Sequence, residues 1–254
     1  MAKNTPKRVL LTRENNESLA GFLREHGVEP VEIPLIKTVH EAQNEDVEDV
    51  MRDMGSYDWI TFSSANGVRG FFKEFFKKFD DIRTIGIARI ACVGESTAKE
   101  VRKLHLRPDV IPAVSTALAM ADAMAEYETL DNLKVLCVQG NISQPDLPKT
   151  LDQKHGAIVD TAVVYKTELL ELEKDAPAVA DFRKNGADAV VFASPSAVES
   201  FVKNAKNLLL GEKAVRPKIF SIGPTTTAAL KKYAMTPYME GGEVADLLLT
   251  YLKA

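Results

Sequence analysis

Few residues in this chain offer redox, metal or nucleophilic chemistry. Among 254 residues there are two cysteines, four histidines and one tryptophan. Cys92 and Cys137 each sit in a short apolar run, Arg89 to Val93 and Lys134 to Val138. They read as buried strand residues, and two thiols make no disulfide framework. His26 and His155 each precede a glycine and read as helix ends, His105 closes another helical stretch, and His40 stands near the start of one. No pair of histidines has ligand spacing, so no metal is expected. Long apolar runs are missing too. No segment approaches the ~18 residues of a membrane span. The polar start, Met1 to Arg8, lacks the apolar stretch of a secretory signal. A reducing cytoplasm is therefore the expected compartment, with no membrane partner. Positive charge is not in excess: 32 Lys and Arg against 36 Asp and Glu leave a net charge of −4, so nucleic acid is not an expected partner. Absent as well are a phosphate loop, a Gly-x-Gly-x-x-Gly fingerprint after the first strand and a Gly-x-Ser-x-Gly elbow. No nucleotide, nicotinamide or other cofactor is expected.

What is present is alternation. Short β-branched runs (Arg8 to Thr12, Trp59 to Phe62, Arg89 to Val93, Lys134 to Val138, Ala189 to Phe192, Lys218 to Ile222) are each followed by a helical pattern. This predicts an α/β fold of parallel sheets flanked by helices, flavodoxin-like or Rossmann-like. Lys73 to Phe79 predicts an amphipathic helix, phenylalanines inward and lysines outward. The chain also repeats itself. Asp58 to Val68 (DWITFSSANGV) is echoed by Asp188 to Val198 (DAVVFASPSAV), Cys92 to Ala98 by Ser221 to Thr227, and Val9 to Asn15 by Val135 to Asn141. One α/β unit is thus used twice, giving two similar domains. Two extended stretches, Val31 to Val39 and Ile158 to Thr167, alternate enough to form a two-stranded linker. The repeat allows either tandem domains cut near Asp131 or a crossed arrangement.

In open parallel sheets ligands bind outside the carboxyl ends of strands, beside helix N-termini. The repeated turns lie there and offer Ser63 and Ser64, Ser194 and Ser196, Ser96 and Thr97, and Thr225 and Thr226. Each hydroxyl has an ordinary explanation as a helix N-cap. Four such turns in two copies suit a ligand with several carboxylates, held by N–H and hydroxyl groups. Tyr165 stands out as a polar-tipped aromatic within the second linker stretch, where packing of its ring is the common role.

The stretches Leu11-Thr12-Arg13, Trp59 to Val68, Val93 to Ala98, Val163 to Thr167, Phe192 to Ser196 and Ile222 to Thr226 resemble, in order and spacing, those of the uroporphyrinogen-III synthases. The resemblance spans nearly the whole chain. It implies the crossed arrangement, with residues 1–37 plus 167–254 as one discontinuous domain and 38–166 as an inserted one, the chain crossing twice through the linker. It implies a cofactor-free lyase, a monomer, that cyclises hydroxymethylbilane in a cleft between the domains. In that reaction ring D is inverted and water is lost. Tyr165 would then assist departure of the hydroxyl, and Arg13, Ser63, Ser64, Thr97, Asn141, Ser194, Thr225 and Thr226 would hold carboxylates. The rival reading is a two-domain binding protein that clamps a small anionic ligand and does no chemistry.

Overall fold

The computed structural model describes residues 6–40, 45–241 and 244–253. In chain order the elements are β1 (Arg8–Leu11), α1 (Glu17–Glu25), β2 (Glu29–Glu32), β3 (Ile36–Val39), α2 (Glu45–Arg52), β4 (Trp59–Phe62), α3 (Ala65–Lys78), β5 (Arg89–Cys92), α4 (Glu95–Arg102) and α5 (Ala117–Tyr127). There follow β6 (Lys134–Gly140), α6 (Asp146–His155), β7 (Ile158–Leu169), α7 (Pro177–Asn185), β8 (Ala189–Phe192), α8 (Pro195–Lys203), β9 (Lys218–Ser221), α9 (Pro224–Lys232), β10 (Met239–Glu240) and α10 (Val244–Lys253). Two compact units result, Met1–Lys37 with Glu168–Ala254, and Thr38–Thr167. The chain passes from one unit to the other twice, at β3 and at the end of β7. These two strands are neighbours in the sheet of the second unit.

The first unit carries a sheet of order β10-β9-β8-β1-β2 and the second one of order β3-β7-β6-β4-β5. The opening strands of the sequence repeat, β1 and β6, have exchanged places: β1 pairs with β8, and β6 with β4, all parallel. The same lock secures both exchanges. Asp188 Oδ2 accepts the Arg8 N–H at 2.8 Å, and Asp58 Oδ2 accepts the Lys134 N–H at 2.8 Å. These aspartates open the echoed segments, so the repeat extends to individual hydrogen bonds.

Each sheet is covered on both faces, which is why β1, β4 and β8 are buried end to end. In the first unit Leu10, Val190 and Phe192 pack against α7 and α8, while Val9, Leu11 and Phe220 pack against α1 and α10. In the second, Phe62 joins Phe71, Phe72 and Phe75 of α3, and Trp59 meets Met120, Met124 and Leu151 of α5 and α6. The lysine and phenylalanine helix has one departure from its pattern: Phe76 points outward, 43% exposed. Cys92 and Cys137 are unpaired and buried, and burial pushes each thiol up to about 12, so neither supplies a thiolate near neutral pH.

Asn204, 4% exposed after α8, fastens the segment that follows β7 to the first unit. Its Nδ2 donates to the Leu170 and Ser200 carbonyls at 2.8 and 2.9 Å, and its Oδ1 accepts the Leu172 N–H at 2.8 Å. Asn204→Leu strips Leu172 of its acceptor and is expected to cost about 1–3 kcal/mol. The urea midpoint reads this, and an unchanged midpoint would mean that Asn204 is not holding the segment.

Candidate active site

In the second unit the carboxyl ends of β4, β6 and β7 bring four of the expected residues together. Ser64 is the N-cap of α3, extended at φ −161° and ψ 156°, and its Oγ accepts the Gly67 N–H at 2.9 Å. Helix α3 lies close to β7 because Gly70 has no side chain; a Cβ there would stand 2.6 Å from the Val164 carbonyl oxygen. That approach puts the Ser64 Oγ 3.0 Å from the hydroxyl of Tyr165 on β7. A β-bulge at Gln139/Gly140 sets Gly140 opposite Tyr165, and a Cβ at Gly140 would lie 2.5 Å from the ring. Asn141 completes the frame: its N–H donates to the Tyr165 carbonyl at 3.1 Å, and its Oδ1 accepts the Thr167 N–H at 2.8 Å. Ser63, partly buried beside them, donates to the Val138 carbonyl at 3.4 Å.

The Tyr165 side chain is almost enclosed, with 9% of the residue exposed. Burial raises the phenol above its ordinary value and the Ser64 hydrogen bond opposes that rise. At neutral pH Tyr165 therefore keeps its proton and can donate it.

The first unit repeats the turns without the tyrosine. Ser194 caps α8 at φ −160° and ψ 156°, its Oγ accepting the Ala197 N–H at 3.2 Å and lying 2.9 Å from the Ser196 Oγ. Gly223 here and Gly94 in the second unit, both extended, are the N-cap positions of α9 and α4. Thr225 is exposed, as is Arg13 after β1. Between the ends of β1, β8 and β9 is a hollow of about 20 Å³ lined by Thr12, Arg13, Asn16 and Ala193, room for a single water.

Thr97 and Thr226 differ from the other expected residues in being buried, at 1% and 2% exposed. Each is the third residue of its helix and faces the sheet, whereas the second residue, Ser96 or Thr225, faces out. Ser96, one of the hydroxyls of the repeated turns but not of the set that the resemblance implies, is the counterpart of Thr225 when Gly94-Glu95-Ser96 is aligned with Gly223-Pro224-Thr225.

The profile of the family described as Uroporphyrinogen-III synthase HemD matches residues 17–244. The chain belongs to the uroporphyrinogen-III synthase family. It is 27% identical over 258 residues to the uroporphyrinogen-III synthase of Chlorobaculum parvum, the match covering 97% of this chain and 100% of that one. It is 29% identical over 228 residues to the porphyrin biosynthesis protein HemD of Ruminiclostridium josui; 89% of this chain is matched, but it spans only 44% of that protein's length. Among solved structures, a mutant uroporphyrinogen III synthase from Thermus thermophilus superposes with a TM-score of 0.65 at 15% identity, covering 97% of this chain and 98% of that one. The two-domain α/β fold of the uroporphyrinogen-III synthases is thus shared. Enzymes of this family cyclise hydroxymethylbilane in tetrapyrrole biosynthesis, and membership weighs against a binding protein without chemistry.

Proposed function

We propose that this chain performs the family's ring closure with Tyr165 as the proton donor. The observation that supports this is one nearly enclosed phenol, fixed in place by Ser64 and Gly140. As the C–O bond of the hydroxymethyl group breaks, the oxygen takes the Tyr165 proton and leaves as water. The azafulvene so formed is attacked by ring D at its substituted carbon, giving a spiro intermediate that rearranges to uroporphyrinogen III. The proton lost when the macrocycle becomes aromatic at its pyrroles restores Tyr165. A proton transfer of this kind contributes ~10²–10⁴-fold.

Carboxylates of the substrate are assigned to Ser63, Asn141 and Ser96 in the second unit and to Arg13, Ser194 and Thr225 in the first, together with the N–H groups at the starts of α3, α4, α8 and α9. Thr97 and Thr226 keep a packing role. Selectivity for the inverted isomer asks for ~1.4 kcal/mol per tenfold in product ratio, which the shape of the bound conformer can supply. The chain is taken to act as a cytoplasmic monomer, in keeping with its two buried, unpaired thiols; among the described residues no helix is long and apolar enough to cross a membrane.

Purified protein given hydroxymethylbilane and no metal or cofactor is expected to yield the type III isomer, identified by chromatography of the oxidised products. Recovery of the type I isomer alone would overturn the reading.

A further inference from the structure

Ser64 is a helix cap that has a second contact. Its Oγ accepts the Gly67 N–H at 2.9 Å, which uses a lone pair and leaves the hydroxyl hydrogen to be directed elsewhere. The Tyr165 oxygen, 3.0 Å away and 101 residues distant in sequence, lies within its reach. The phenol also lies against the backbone of Gly140, where a Cβ would stand 2.6 Å from one ring carbon and 2.8 Å from the hydroxyl oxygen.

We propose that Ser64 is a positioning residue for the ring closure: its hydroxyl donates to the Tyr165 oxygen, so that the phenol hydrogen is turned toward the departing hydroxyl. The proposal rests on the reading of Tyr165 as proton donor. A tyrosine that donated to Ser64 would have its only hydrogen occupied. With Ser64 as the donor that hydrogen is available, and the phenolate left by its transfer already accepts a hydrogen bond. Ser64 keeps its own proton throughout, and the Gly67 N–H at the start of α3 polarises it in the same sense. Once the macrocycle has closed, a proton returns to the phenolate and the starting arrangement is restored. Ser64 thereby moves from contact with substrate carboxylates to service of the phenol.

Other titratable or charged groups near the phenol come from the segment after β3, from α3 and from β7. The His40 ring has its centroid 6.3 Å from that of Tyr165, Lys73 Nζ donates to the His40 carbonyl at 3.0 Å, and Lys166 is the exposed neighbour on β7. The test must therefore separate Ser64 from the imidazole.

Ser64→Gly removes the hydroxyl while leaving a residue that helix N-caps accept, and Ser64→Thr keeps the hydroxyl. With hydroxymethylbilane as substrate, Ser64→Gly is expected to lower kcat about tenfold or more at unchanged KM, and Ser64→Thr to recover most of it. Carbon-13 labelling of the tyrosine ring carbons gives a readout independent of turnover. The hydrogen bond from Ser64 favours the phenolate, so its loss is expected to move the Tyr165 titration to higher pH, in the wild-type and in a His40→Gln background alike. In Tyr165→Phe, adding Ser64→Gly is expected to cost nothing further. Wild-type kcat in Ser64→Gly beside a slow Tyr165→Phe overturns the role of Ser64 alone, as do losses that multiply in the double variant. Wild-type kcat in Tyr165→Phe overturns the reading of Tyr165 and this role with it.

Discussion

Tyr165→Phe is expected to lower kcat about 10²-fold, with KM and the proportion of type III product nearly unchanged. The size follows from what is removed, which is one general acid and no shape. Phenylalanine fills the space of the tyrosine ring, so the contact with Gly140 and the packing around β7 persist. The loss falls at the lower end of the range for acid catalysis because the substrate loses water without assistance, and a shaped site continues to hold the reactive conformer. Stability changes little by comparison. Ser64 still caps α3 through the Gly67 N–H, and one lost hydroxyl contact is worth about 0.5–1.5 kcal/mol. Steady-state kinetics with product chromatography, beside a thermal melt, separates the two effects. A rate within twofold of wild type would return Tyr165 to a packing role.

The largest loss of stability is expected at Gly186→Ala, in the first unit and away from the expected chemistry. Gly186 follows α7 at φ 72° and ψ −157°, a combination that residues with a side chain scarcely enter. A Cβ there would stand 1.9 Å from the Val215 carbonyl oxygen and 2.6 Å from the Val215 nitrogen, and backbone cannot swing aside as a flexible side chain can. The contact cannot be widened cheaply. Ala187 donates to the Val215 carbonyl at 3.2 Å, Val215 donates to the Asn185 carbonyl at 3.0 Å, and the Gly186 carbonyl accepts the buried Arg8 guanidinium at 2.8 Å. Strain of about 1–3 kcal/mol and crowding of about 1–3 kcal/mol together give roughly 2–6 kcal/mol. That is a large part of the ~5–15 kcal/mol that ordinarily holds a domain together. Gly27 is the comparison: its φ is also positive, at 73°, but no atom lies within 4 Å of a Cβ there, so alanine should cost no more than the strain. Urea unfolding of both variants tests the difference, and equal midpoints would refute it.

The elements that were legible in the sequence are those whose burial is simple. Trp59 to Phe62 and Ala189 to Phe192 are strands with the expected bounds, because four consecutive apolar positions beneath helices on both faces leave little else to be. β2 gave no such signal. Its sequence Glu29-Pro30-Val31-Glu32 has one fully buried residue, and as the edge strand beside β1 it tolerates both the proline and the charges. The extended stretch from Val31 to Val39 divides at Pro34 into β2 and β3. In the candidate site the turns could be read, but their facing could not. A cap hydroxyl and the third residue of a helix look alike in sequence, so the pattern does not separate Thr97 and Thr226 from Ser64 and Ser194. The meeting of Tyr165 with Ser64 depends on a bulge at Gly140 and a close helix at Gly70. A glycine inside a strand pattern was the available hint of such an approach.

The exchanged opening strands bear on how the chain assembles as it is made. Residues 38–167 contain every strand of the second unit except the start of β3 and the end of β7, so its sheet can close while the rest is still being synthesised. The side of β1 that faces β8 must wait: there the partner of Val9 is Ala189, and the carboxylate that fastens the Arg8 N–H belongs to Asp188. β1 can pair early with β2, but its other edge is among the last to be covered, and until β8 arrives that edge is open to other chains.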